Sequence, residues 1–317
     1  MSEFDLIRTH FSRVGPCRPD VPLGVGDDCA LLRVPAGSDL AVSIDTLVAG
    51  VHFLPDCEAG ALGHKCLAVG LSDLAAMGAE PAWATLALTL SNADEYWLDA
   101  FARGFGELAT AHGVELVGGD TTRGPLSITV QVHGLVPEGK GIRRGDASPG
   151  DLIYVSGTLG DAALALRLLR SGGPVPTQLR ERLDRPTPRV RLGAALRGVA
   201  SAMIDVSDGL AADLGHILEE SGTGGEIRLP GIPLSPAVAQ RVAADADWSL
   251  PLTSGDDYEL CFTLPPRNKE ALASLLTRVG CPARPIGRIT ERPGLRCLLD
   301  DGSAWVPRRV GYDHFSV

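Results

Sequence analysis

Aromatic residues make up only 5% of the 317 residues, and lysine occurs just three times, at Lys65, Lys140 and Lys269. The first scarcity removes the stacking platforms that single-stranded nucleic acid requires. The second leaves arginine as the source of nearly all positive side-chain charge. None of the three lysines stands in a GxxxxGKS/T loop, and no protein-kinase motif set is present. Any use of ATP must therefore proceed without the usual phosphate-binding lysine. Positive charge is scarce as a whole: 29 Lys and Arg face 39 Asp and Glu, a formal net charge of −10. That balance excludes a sequence-independent nucleic-acid binder, which needs a basic face. An acidic protein that handles anions has to recruit metal ions to do so. No apolar run approaches membrane-spanning length. The start, Met1 to Arg8, carries acids and lacks a signal-peptide pattern, so the expected location is the cytoplasm. The seven cysteines are scattered without a CxxC pair. An odd, dispersed count fits reduced thiols better than a disulfide frame or a zinc site.

What the chain does have is a recurrent pattern of acids among small or apolar residues. Gly24-Val25-Gly26-Asp27-Asp28-Cys29-Ala30 leads two glycines into two adjacent carboxylates. Asp45 in SIDTLVAGVHF, Asp73 in LSDLAAMGAEP, Asp120 in GGDTT, Asp205 and Asp208 in IDVSDGL, and Asp256 and Asp257 in SGDDYEL repeat the theme. Several stand at the end of an apolar run, where a strand would deliver them into a crevice. Crowded carboxylates repel unless a cation separates them, and hard divalent ions such as Mg2+ suit oxygen ligands.

Length permits two domains. Residues 1–20 predict a short helix ending at Gly15-Pro16. Leu40–Val48 predicts a strand ending near Asp45, Ala61–Met77 a helix with Asp73 in its interior, and Trp83–Leu90 a strand. Asp94–His112 predicts an amphipathic helix, Val114–Val117 a short strand running into Gly118-Gly119-Asp120, and Ser127–Val136 a cleanly alternating strand. The polar loop Gly139–Gly150, with Arg143 and Arg144, marks a boundary between expected domains 1–148 and 149–317. Beyond it come a strand at 151–157, a glycine turn Thr158-Leu159-Gly160-Asp161 opening a helix to about Arg170, and a Gly/Pro-rich loop over Gly172–Pro188. A helix to about Ala200, the strand Ala202–Val206, a helix opened by Ser207-Asp208-Gly209, the strand Glu259–Leu264, the helix Arg267–Val279 and short terminal strands over Pro285–Val306 complete the reading. Mixed α+β or α/β sheets are expected.

The motifs GVGDDCALL, SIDTLVAGVHF, LSDLAAMGAEP, LVGGDTTRGPLSITVQVHG, SGTLGD, IDVSDGLAADLGHI, SGDDYELCFT and GYDHF are long and in order. With them the chain resembles the thiamine-monophosphate kinases, in the superfamily of aminoimidazole ribonucleotide synthetase, selenophosphate synthetase and HypE. The resemblance covers nearly the whole chain. It implies an N-terminal α/β domain that pairs with its twin in a homodimer, a C-terminal α/β domain, and ATP bound in the cleft between domains. It implies transfer of the γ-phosphoryl of ATP to thiamine phosphate, with several Mg2+ ions. The implied metal ligands are Asp28, Ser43, Ile44 (through backbone oxygen), Asp45, Asp73, Asp120, Asp205 and Asp208. The implied ATP contacts are Gly119, Asp120, Arg144 and Ser207, and the vitamin site draws on His52, Asp256 and Tyr312.

Two positions depart from the family pattern. Ile44 stands where a side-chain hydroxyl is usual, and Asp256 where the motif reads GGEDYEL. Two readings compete with the kinase. One is another ATP-dependent synthetase of the superfamily, although no glycine-flanked N-terminal catalytic cysteine is present and Cys17 follows a proline. The other is a non-catalytic nucleotide- or thiamine-binding regulator, whose signature would be loss of the carboxylates. No residue is expected to serve as a general base, because the acceptor is already an anionic phosphate oxygen.

Overall fold

The computed structural model describes residues 3–307, 309–312 and 315. The chain divides into two compact units, one of Met1–Leu74 with Ala79–Gly139, the other of Ala75–Gly78 with Lys140–Val317. The first unit begins with α1 (Glu3–Leu6) and a π-helical turn, Ile7–Phe11. Then follow β1 (Ser38–Val48), α2 (Ala59–Ala76), β2 (Glu80–Leu90), α3 (Glu95–His112), β3 (Glu115–Arg123) and β4 (Ser127–Pro137). The strands form one sheet in the order β1-β4-β2-β3. β1 and β4 pair antiparallel without a bulge from Ser38 opposite Pro137 to Val48 opposite Ser127. Alternation in β4 buries Ile128, Val130 and Val132 on one face, as a period-2 strand with one dry face demands. α3 is bounded by its own chemistry. The Asp94 carboxylate accepts from the amides of Tyr96 and Trp97, and Gly113 closes the helix in the left-handed region.

α2 and α3 touch through glycine. A Cβ on Gly104 would lie 1.9 Å from the Gly60 carbonyl oxygen, and one on Gly63 would lie 2.1 Å from that of Phe101. On the opposite face of the sheet the N-terminal segment covers Trp83. The Arg18 guanidinium forks onto Asp20 at 2.9 and 2.7 Å and donates to the Gly113 carbonyl at 2.8 Å. The Arg18 amide donates to Glu115, and the Trp83 indole donates to Asp20.

The second unit contains β5 (Leu152–Ser156), α4 (Asp161–Arg170), α5 (Thr177–Asp184), α6 (Val190–Ala195), β6 (Ala202–Asp205), α7 (Leu210–Glu220), β7 (Gly224–Arg228), α8 (Pro236–Asp245), α9 (Ser249–Thr253), β8 (Leu260–Leu264), α10 (Lys269–Val279), β9 (Ala283–Thr290), β10 (Gly294–Leu298) and β11 (Ala304–Trp305). Its sheet runs β11-β10-β7-β9-β5-β8-β6. β5 is antiparallel to both β8 and β9, and β7 and β10 are parallel. β8 is buried along its whole length, the mark of a central strand covered on both faces.

The mixed α/β architecture matches the sequence-based expectation, with differences at several elements. Gly172–Pro188, read as loop, contains α5, which buries Leu179 and Leu183 between its prolines and glycines. β3 does not stop at Val117 but continues through the glycine pair to Arg123, because β2 offers it a parallel partner to Leu90. β1 runs past Asp45 to Val48, held by β4 throughout. The helix expected to reach Ala200 ends at Ala195.

The Arg18 hydrogen bonds hold the Asp20 carboxyl below its ordinary range. A lowered pKa stabilises the fold above the unfolded-state value and ceases to do so as pH falls through the folded value. Asp20→Asn should therefore lower unfolding free energy by about 1–2 kcal/mol at pH 6. The gap from the parent should close below about pH 4. Urea titrations at both pH values check this.

Candidate functional site

In the first unit, β1 and α2 bring three of the sequence-derived residues together. Ser43 and Asp45 lie two apart on β1, so both project from the same face. Asp73 comes from α2, and its Oδ2 accepts a short hydrogen bond from Ser43 Oγ. Burial pushes Asp45 up to about 7, and the neighbouring Asp73 carboxyl, close enough to share a hydrogen bond, adds to the rise. The Asp45 Oδ2 atom is buried and has no hydrogen-bonding partner. An orphaned carboxylate oxygen beside a second carboxylate is costly unless a cation completes it, so the oxygen-donor set Ser43, Asp45 and Asp73 fits Mg2+.

The other assigned residues of this unit are placed differently. Ile44 points to the opposite face of β1 and is 61% exposed, which leaves only its main chain for a ligand. Asp28 is exposed in a turn where its amide donates to the Asp27 carboxylate at 2.8 Å. Gly119 and Asp120 lie within β3, paired with Leu86 and Ala87. A Cβ at Gly119 would stand 1.9 Å from the Leu86 carbonyl oxygen, so only glycine fits. His52 closes a turn after β1, its Nδ1 accepting from the Val48 amide at 3.0 Å. Among the described residues, no three His, Cys, Asp or Glu side chains stand close enough to hold a metal ion in common.

In the second unit two adjacent loops gather Asp205, Ser207, Asp208, Asp256 and Tyr312. Asp205 ends β6 and is buried. The Asp256 amide donates to the Ser207 carbonyl at 2.9 Å, the Tyr258 amide to that of Val206 at 2.8 Å, and the Tyr312 amide to that of Asp208 at 3.0 Å. A Cβ on Gly255 would lie 2.0 Å from the Ser207 oxygen. Asp256 and Tyr258 both carry positive φ, 69° and 50°. Non-glycine residues held in this region cost about 1–3 kcal/mol each, and such strain concentrates at functional sites. Arg144 has an exposed guanidinium. Its carbonyl accepts from Ser221 Oγ, and the preceding carbonyl, of Arg143, accepts from the Met203 amide of β6.

Sequence reasoning missed the residues that hold these loops. Ser207 does not cap α7 with its side chain; Gly209 precedes the helix. The cap-like role falls to Asp213, whose Oδ2 accepts the amides of Ser207, Asp208 and Gly209, each at 3.1 Å. Burial pushes Asp213 up to about 7, and the neighbouring Asp208 carboxylate adds to the rise while the three amides oppose it. Its register with Leu210, Leu214 and Ile217 places an acid on a buried helix face, a signal that was available in the sequence. Glu259 is fully buried and accepts from Arg182 at 2.9 Å, from Arg189 Nε at 2.7 Å and from Ser156 Oγ at 2.5 Å. Nothing in the sequence connects Arg182 and Arg189 to it. The distance along the chain is too great for a local pattern.

These two units define the class. Family models for AIR synthase related protein match the chain with the N-terminal domain over residues 26–136 and the C-terminal domain over 148–300. The chain belongs to this family and, within it, to the thiamine-monophosphate kinases. It is 48% identical over 320 residues to the thiamine-monophosphate kinase of Escherichia coli strain K12, covering 99% of this chain and 98% of that one. The crystal structure of thiamine-monophosphate kinase from Stenotrophomonas maltophilia K279a superposes with a TM-score of 0.85 at 48% identity, over 91% of this chain and 93% of the other. The structure of AaThiL complexed with AMPPCP and TMP matches at 30% identity and a TM-score of 0.79, over 89% of each chain.

Asp213→Ala leaves three adjacent amides without their acceptor. Each buried orphan costs about 1–3 kcal/mol, so the substitution should lower unfolding free energy by about 3 kcal/mol or more. Asp213→Asn, which keeps an acceptor oxygen, should lose less. Equal stability of the parent and the alanine variant in urea unfolding would refute the assignment.

Proposed function

We propose that this chain transfers the γ-phosphoryl group of ATP to thiamine phosphate, giving ADP and thiamine diphosphate. The observation that carries the reading is the Asp45–Asp73 pair with its orphaned Oδ2, a site in want of a cation. Its support outside the molecule is the E. coli kinase at 48% identity and the related structure complexed with AMPPCP and TMP. We assign Asp28, Ser43, Asp45, Asp73 and Asp120, with the Ile44 carbonyl, to Mg2+ in the first unit, and Asp205 and Asp208 in the second. Gly119, Asp120, Arg144 and Ser207 are assigned to ATP, and His52, Asp256 and Tyr312 to thiamine phosphate. Bound Mg2+ neutralises phosphate oxygens and lowers the repulsion between two polyanions.

The acceptor oxygen needs no base, since a phosphate monoester has a second pKa of about 6. A bond forms between that oxygen and the γ-phosphorus as the bond to ADP breaks, and no phosphorylated residue intervenes. The guanidinium of Arg144 supplies charge and alignment for the phosphates. Tyr312, 48% exposed, offers a ring face to the cationic thiazolium.

Two further assignments accompany the reaction. We assign the protein to the cytoplasm, supported by seven cysteines that are all thiols and by the lack of any helix among the described residues that is long and apolar enough to cross a membrane. We also assign a homodimer formed through the outer face of the first unit's sheet. There Leu40, Val42 and Ile44 stand 43%, 52% and 61% exposed in one row along β1. An apolar row of this kind is the usual mark of a partner surface.

ATP consumption with each acceptor in turn tests the reaction. Thiamine phosphate should turn over and thiamine should not, and Asp28→Asn and Asp73→Asn should abolish turnover at ordinary Mg2+ concentrations. An isolable phospho-enzyme, comparable use of thiamine, or no ADP release at all would refute it, the last result favouring a regulator.

Light scattering at micromolar concentration tests the dimer. The parent should run as a dimer and Val42→Asp as a monomer, and a monomeric parent would refute the interface.

A further inference from the structure

The turn Gly255–Glu259 is built so that alternate side chains part company. Asp257 turns into the protein, 1% exposed, and both its oxygens take the Gly160 amide at 2.9 and 3.1 Å. Glu259 is fixed by Arg182, Arg189 and Ser156. Arg182 Nη2 also donates to the Asp257 carbonyl at 3.1 Å and the Thr158 carbonyl at 3.3 Å. One guanidinium thus ties the SGTLGD turn, the Asp257 main chain and Glu259 into a single support. Against that support Asp256 and Tyr258, both at positive φ, share the other side of the turn. The Tyr258 hydroxyl donates to Asp256 Oδ1 at 2.9 Å. Tyr258 is itself 6% exposed, so its ring is clamped while the Asp256 side chain remains half-buried.

We propose that Tyr258 is a positioning residue that sets the Asp256 carboxylate for recognition of the phosphate acceptor. The inference rests on the reading of Asp256 as a contact for thiamine phosphate. Aspartate is one methylene shorter than glutamate, and a carboxylate that must meet a cationic substrate gains from being held in one rotamer. A hydroxyl bonded to one carboxylate oxygen fixes the plane of the group and aims the other. The hydroxyl acts through Asp256, so its effect belongs to the substrate that Asp256 contacts. Loss of an interaction used equally in the ground and transition states raises KM and leaves kcat unchanged.

The test is a double-mutant cycle of Tyr258→Phe and Asp256→Ala on the full chain. KM for thiamine phosphate, KM for ATP, kcat and melting temperature are read for each variant. Tyr258→Phe should raise KM for thiamine phosphate by about five-fold or more, with kcat and KM for ATP within about two-fold of the parent. In the Asp256→Ala background the same substitution should change nothing further. An unchanged KM in Tyr258→Phe, while Asp256→Ala raises it, overturns the positioning role and leaves Asp256 in place. The same fold-change with and without Asp256 also overturns it, because Tyr258 would then act through the fold. An Asp256→Ala variant with the parent's KM removes the underlying reading and the inference with it. Should Tyr258→Phe fold poorly, Arg182→Lys weakens the support behind the turn. It must then raise KM for thiamine phosphate and not for ATP, and equal effects on both substrates reject the proposal.

Discussion

Asp45 and Asp73 are two carboxyl groups held at short range and half-buried, one on β1 and the other on α2. Folding places them there at a cost, since burial and mutual repulsion both resist ionisation. Ser43 donates to Asp73, while the Asp45 Oδ2 atom has no hydrogen-bonding partner. β1 is locked to β4 over its full length, and α2 is pinned against α3 through Gly63 and Gly104, where no side chain fits. Other buried acids in the protein are treated differently. Asp213 receives three amides, Glu259 receives two guanidinium groups, and Asp257 receives an amide shared between both its oxygens. The contrast sets Asp213, Glu259 and Asp257, which hold the framework, against Asp45, whose Oδ2 has no hydrogen-bonding partner.

Much of the framework is visible in local pattern. β4 alternates so regularly that its buried face can be read off Ile128, Val130 and Val132, and α3 announces both its ends with Asp94 and Gly113. Elements that depend on distant partners are not visible in this way. Val117-Gly118-Gly119 looks like a stop because glycine weakens a strand, yet β2 carries β3 on for several more residues. α5 hides among prolines and glycines because its stability comes from burying Leu179 and Leu183 rather than from propensity. The same division holds at the site. Acids next to glycine, such as Asp120 and Asp208, stand out in a sequence. Arg182, Arg189 and Tyr258 act across long separations or through an unusual backbone angle, and such relations are absent from periodicity.

The adjacent turns at 206–209 and 255–259 show how the second unit handles strain. Two non-glycine residues with positive φ would relax if the turn were free. They are kept in place by backbone bonds to the neighbouring loop on one side and by Arg182 on the other. Buried ion pairs contribute little net stability by themselves, and their best-attested use is to specify one arrangement among several. The Arg182–Glu259–Arg189 group fits that use.

The open row of Leu40, Val42 and Ile44 has a consequence for biosynthesis. β1 is an edge strand, and an edge with an apolar flank is a template on which another chain can add. The first unit's residues leave the ribosome largely before those of the second, so this surface is presented to the cell while translation is still under way. A truncated product ending near Gly139 would keep the same sticky edge, which makes premature termination more hazardous here than in a protein whose early-made sheet has polar margins.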